Sequence, residues 1–123
     1  MIVRVWHGRI RAKDADEYGR YIESTGLRDY RRCHGNHGAV MLIEPAGDEA
    51  HVYTVSFWDS YDDIKAFAGD DVAKARYYPE DERYLLEFEP TVRHFDAPGD
   101  GARQATMSAL SKRDEPRAPR VAL

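Results

Sequence analysis

The stretch Arg76-Tyr77-Tyr78-Pro79-Glu80-Asp81-Glu82-Arg83-Tyr84 concentrates groups that can donate, accept or carry charge. Pro79 has no N–H to leave unpaired and suits the first turn of a helix. It also pushes Tyr78 toward an extended conformation. Tyr78 should therefore break a preceding helix, and Glu80, Asp81 and Glu82 should meet the positive end of the next one. Such a break aims Tyr77 and Tyr78 sideways, into the core or into a pocket wall.

His7 and His94 are the best titratable candidates, each within a strand pattern beside apolar residues. A histidine titrates near neutral pH and can take the proton of a phenol. A deprotonated phenol or anthrone is electron-rich enough to react with O2, which removes the need for a cofactor. Trp6, Trp58, Phe67, Tyr77 and Tyr78 could wall the apolar cleft that a flat aromatic ligand needs; the plain alternative is that the rings are core. Arg76 or Arg83 could steady an anionic oxygen, or pair on the surface with Glu80 or Asp81.

Other chemistries lack their patterns. His34 and His37 are close in a loop and His51 stands alone, with no zinc-site spacing. No glycine-rich nucleotide loop follows a strand, and no Gly-x-Ser-x-Gly elbow is present. Cys33 has no base fixed beside it by sequence, and a single cysteine cannot form an internal disulfide. The chain therefore suits a reducing cytoplasm. Its start, Met1-Ile2-Val3-Arg4-Val5-Trp6, reads as a strand and not as a leader. No apolar run approaches a membrane span. Residues 1–96 hold 13 Lys+Arg against 19 Asp+Glu, an acidic body of the wrong sign for a nucleic-acid backbone.

These candidates must be positioned by a small α+β domain. A strand is expected over about Ile2 to Arg11, with Ile2, Trp6 and Ile10 on one face and Val3, Val5 and His7 on the other. Asp14 with Glu17 resembles a capping box, opening a helix that Gly26 should stop. Leu27 to Gly38 would then be a connector. Ala39–Glu44 and Ala50–Trp58 read as two strands joined by a loop over residues 45–49. Ser60 with Asp63 caps a helix that Gly69 ends, and Asp70 should cap a shorter one through Val72, Ala73 and Arg76. The helix at Pro79 follows, burying Leu85 and Leu86. A last strand runs from about Glu87 to Asp96, with Phe88, Val92 and His94 on one face and Pro90 marking an edge or bulge. Residues 97–123 carry no aromatic side chain and read as a flexible tail.

The order β-α-β-β-α-β predicts a ferredoxin-like sandwich with helices on one sheet face. The other face is also apolar, and a second copy of the chain is its simplest cover. In this fold the first and last strands lie close, so His7 and His94 could approach.

The strand Ile2-Val3-Arg4-Val5-Trp6, the run Val55-Ser56-Phe57-Trp58-Asp59-Ser60, and Ile64-Lys65-Ala66-Phe67-Ala68-Gly69 leading into Tyr77 resemble the antibiotic-biosynthesis-monooxygenase family of dimeric α/β barrels. The resemblance covers about residues 1–96. It implies a homodimer and a pocket between sheet and helices. It also implies cofactor-independent oxidation of a small aromatic compound, with His7 and Tyr77 catalytic; the residues themselves add Trp6, Trp58, Phe67, Tyr78, His94 and Arg83 as expected substrate contacts. A non-enzymatic ligand-binding or interaction protein of the same fold is the alternative. The family's haem degraders imply a third reading. Their axial histidine falls on Tyr77, their helix tryptophan on Phe67 and their first-strand asparagine on His7, so this chain departs at all three, although tyrosine can hold haem.

Overall fold

The computed structural model describes residues 1–99 and Gly101; the expected tail lies almost wholly outside the described residues. The chain forms β1 (Ile2–Arg11), α1 (Ala15–Ile22), α2 (Arg28–Arg32), β2 (Asn36–Ala46), β3 (Glu49–Trp58), α3 (Tyr61–Ala68), α4 (Asp81–Tyr84) and β4 (Arg93–Asp96). The result is α+β, with one four-stranded antiparallel sheet in the order β2-β3-β1-β4.

Period-two alternation gives the sheet two different faces. On β1 the residues Ile2, Arg4, Trp6, Gly8 and Ile10 are buried, and Ala50, Val52, Thr54, Ser56 and Trp58 are buried on β3. Of these, Ile2, Trp6, Ile10, Ala50, Val52 and Trp58 meet Tyr18, Ile22, Leu27, Tyr30, Ile64 and Phe67 from the helical layer in one core. The opposite face carries Val3, Val5 and His7 beside Phe57, Val55 and Tyr53, continued by Val40 and Leu42 on β2 and Phe95 on β4. No element of the described chain covers it, and Leu42 is 52% exposed.

Gly47 adopts φ +70° in the tight turn between β2 and β3, which favours glycine. Ser60 caps α3, accepting from the Asp63 N–H at 3.2 Å, and Gly69 ends that helix at φ +85° as expected.

Four expectations change. The Asp14 side chain makes no cap bond; it accepts from Arg11 Nε at 2.9 Å while a short 3₁₀ turn leads into α1. Gly26 does not stop the helix. A π turn over Glu23–Leu27 joins α1 to α2, because Leu27 and Tyr30 find burial one turn further on. The segment 70–76 is not helical. Arg4 draws the carbonyls of Val72 and Lys74 to its guanidinium, and those carbonyls are then lost to an α-helical ladder. The last strand is cut to Arg93–Asp96. Ahead of it, Pro90 and Val92 hydrogen-bond to Ala75 and Ala73, and Phe88 and Leu86 are exposed.

Candidate functional site

The central feature is a cleft between the covered face of β1 and the helices. It is lined by Arg4, Trp6 and Thr54 from the sheet, Ile22, Gly26, Tyr30, Phe67 and Asp81 from the helical layer, and Arg76, Tyr77, Tyr78 and Val92 from the connectors. Its free volume is about 30 Å³. That holds a water or two, whereas an apolar cavity that takes benzene is about 150 Å³.

The proline break does aim two tyrosines into this wall. The Tyr78 N–H donates to Asp81 Oδ2 at 2.7 Å, closing the turn around Pro79. The Tyr78 hydroxyl donates to Asp29 Oδ2 at 2.5 Å. The Tyr77 hydroxyl accepts from Trp6 Nε1 at 3.3 Å and donates to the Glu89 carbonyl, with its ring edge-on to Trp6 and Phe88. Burial raises the pKa of both phenols, and for Tyr78 the hydrogen bond to Asp29 raises it further. Both are neutral donors at neutral pH.

Asp81 is not a solvated member of the acidic run. It is 3% exposed and also accepts from the Tyr18 hydroxyl at 2.9 Å. Burial raises its pKa, and the hydrogen bonds from Tyr78 and Tyr18 oppose that rise. Arg76 closes the mouth, its Cζ 4.8 Å from the Phe67 ring centroid and 5.1 Å from that of Tyr78.

Four expected site residues are therefore brought together: Trp6, Phe67, Tyr77 and Tyr78. The other four lie elsewhere. His7 projects from the uncovered sheet face, because it is one residue out of phase with Trp6. There its Nδ1 meets Glu89 Oε2 at 2.7 Å, its Nε2 meets His51 Nδ1 at 2.8 Å, and its ring packs on Tyr53. It does not line the cleft, so the expected pairing of His7 with Tyr77 in one void is not formed. Trp58 is wholly buried core, its indole N–H donating to Ser56 Oγ at 2.8 Å. Arg83 sits on the surface, 3.9 Å from both Glu17 and Glu80. His94 lies on the covered face beside Arg4, not beside His7; burial, then the Arg4 charge, lowers its pKa. Cys33 is a half-buried thiol whose pKa burial raises, which suits packing.

Haem does not fit this arrangement. The Tyr77 hydroxyl is engaged on both sides, and the cleft is far smaller than a porphyrin. Among the described residues no group of three or more His, Cys, Asp or Glu side chains could hold a metal ion. No helix among them is long and apolar enough to cross a membrane.

The residue missed by sequence reasoning is Arg4, which is 1% exposed. Its signal was its parity with Ile2 and Trp6 on β1. Asp81 was read as surface for want of any local sign of its partner Tyr18, 63 positions away.

No protein-family model matches the chain, and no curated protein matches it.

Proposed function

We propose that this chain is a homodimeric, ferredoxin-like protein of the monooxygenase-like α/β-barrel type that binds a small aromatic ligand in the cleft around Phe67. The observation that carries this is the convergence of Trp6, Phe67, Tyr77 and Tyr78 on one cleft from three separated segments. The strand order and the resemblance over residues 1–96 support the fold assignment. The apolar outer sheet face supports the dimer. A ligand larger than the resting cleft is admitted by displacement of Arg76, which is half-exposed and held by stacking, by one hydrogen bond to the Phe67 carbonyl at 3.2 Å and by a distant carboxylate, Asp29 at 3.9 Å. Binding stands ahead of catalysis because the expected base, His7, is absent from the cleft.

Oxidation is a second reading, favoured by Asp81. A buried carboxylate with a raised pKa can take a phenolic or anthrone proton. The carbanion or phenolate then gives electrons to O2, with one oxygen atom ending in the quinone and the other in water.

The test is a tryptophan-fluorescence titration with a panel of phenols and naphthols, paired with an oxygen electrode. Saturable quenching that Phe67→Ala weakens about tenfold or more is expected, since a ring that stacks and buries the ligand is worth at least 1–2 kcal/mol. No saturable change with any aromatic would overturn the cleft as a ligand site. Oxygen uptake that Asp81→Asn abolishes would promote the second reading over the first.

A further inference from the structure

Arg4 sits at the base of the cleft with every identified partner neutral. Its Nη1 donates to the Val72 carbonyl at 2.5 Å and faces His94 Nε2 at 3.3 Å; its Nη2 donates to the Lys74 carbonyl at 3.2 Å. The guanidinium stays charged at every pH the protein meets, so that His94 nitrogen must be the acceptor. The Phe67 ring lies 5.7 Å from Cζ. Among the described residues no carboxylate comes within ion-pair reach of Arg4, and its Nε is buried with no hydrogen-bond partner.

That is a costly arrangement. A buried charge ordinarily has an opposite charge beside it, and a buried donor ordinarily has an acceptor. The two carbonyls explain why Arg4 holds the 72–74 segment, but a neutral donor would serve there as well. They do not explain a net positive charge 1% exposed in the floor of a cleft. Nη1 has two acceptors for its two hydrogens, Nη2 has one, and Nε has none. The edge shared by Nε and Nη2 therefore keeps unspent donors. That edge is the one a planar carboxylate grips with two parallel bonds.

We propose that the cleft recognises its ligand by a carboxylate seated on the Nε edge of Arg4, so that the natural ligand is a small aromatic or aliphatic carboxylate and not a neutral arene. The proposal rests on the cleft reading above and deepens it by naming the anchoring group. The resting volume of about 30 Å³ holds a water or two and Nε is itself fully buried, so the head group seats as the cleft opens. The tail lies along Trp6, Ile22 and Val92 and leaves past Arg76, whose charge is faced by Asp29 at 3.9 Å.

Calorimetric titration of the full chain with benzoate, acetate, benzamide and benzyl alcohol, in a low-chloride buffer at pH 7.5, tests it. Benzoate should bind about tenfold or more tightly than either neutral analogue, the range of one desolvated charged hydrogen bond. In the wild-type protein the Arg4 15Nε resonance should shift on adding benzoate or acetate, and not on adding benzamide. Arg4→Met should bring benzoate to the level of benzamide; if that variant does not fold, the resonance shift in the wild type decides alone. Equal affinity for benzoate and benzamide would overturn the carboxylate anchor and leave the aromatic cleft standing. Binding of none of the four would overturn both. Benzoate binding with an unmoved Arg4 resonance would place the anion elsewhere and overturn the anchor.

Discussion

The residues of β1 that face the helices and those that face away are drawn from the same ten positions; the inner set is mostly apolar, and the outer set joins Val3 and Val5 to His7, Arg9 and Arg11. On the inner face Trp6, Ile10, Val52 and Trp58 pack against four helical segments and the one large polar group, Arg4, is held by backbone carbonyls. On the outer face Val5 and Val55 stand opposite one another, flanked by Val40, with Phe95 and Leu42 beyond them and a chain of Glu89, His7 and His51 at one end. Nothing in the described chain lies over this second surface. The contrast teaches that apolar alternation on both sides of a strand does not assign the two sides the same job. One side is finished by its own helices and keeps a cleft; the other lies open in the described chain, as the proposed dimer would require.

The largest effect should come from the inner face. Trp58→Ala empties a fully buried position and should cost about 3–5 kcal/mol in urea denaturation. Leu42→Ala on the outer face should cost less, and its loss should vary with protein concentration because it acts through association. A concentration-independent loss at Leu42 as large as that at Trp58 would erase the distinction between the faces.

Next comes a charge at the centre of the outer face. Wild-type protein at micromolar concentration should scatter light at twice the chain mass. Val55→Glu should scatter at the chain mass with its far-ultraviolet circular dichroism unchanged, because a carboxylate there is harmless to a solvated monomer and costly in a dry interface. A wild-type monomer would leave the outer face without its cover and break the comparison at its base.

The smallest effect is a pH dependence on the inner face. His94 has its pKa lowered by burial and by the Arg4 charge, so the folded state binds fewer protons than the unfolded state below the ordinary histidine range. Its contribution is complete above about pH 6.5, the unfolded value, and is lost progressively as pH falls toward the folded value. His94→Gln keeps an acceptor for Arg4 without the titration. Denaturant midpoints at pH 7.5 and 5.5 should fall less in the variant than in the wild type, and an equal or greater fall would mean that His94 does not titrate against Arg4.

Much of the frame was legible because it rests on local rules. The two faces of β1 and β3 follow from period two, and the start and stop of α3 follow from Ser60 and Gly69. The Tyr77-Tyr78-Pro79 break was legible too, since proline acts on its immediate neighbours. Gly26 misled because glycine weakens a helix by only about 1 kcal/mol, less than the burial of Leu27 and Tyr30 returns. The expected helix over 70–76 misled because Arg4 competes for its carbonyls from 68 and 70 residues away. Within the site the aromatic wall was readable and the ionisable groups were not. His7 looked reactive by its type and sits on the wrong face for the cleft; Asp81 looked like a surface charge and is buried, and Arg4, also buried, drew no reading from the sequence.

By itself the sequence determined the α+β order of elements, the apolar character of both sheet faces, and the aromatic turn at Pro79, because each depends on spacing within a few residues. Only the tertiary structure decided which charges lie inside, which histidine meets which partner, and where the cleft opens. Those depend on contacts between segments 60 to 90 positions apart, such as Arg4 with Val72 and His94 and Tyr18 with Asp81. Beyond the strand parity of Arg4, no local pattern encodes a charge's burial. It is fixed when packing removes water from one side chain and supplies carbonyls and hydroxyls in its place.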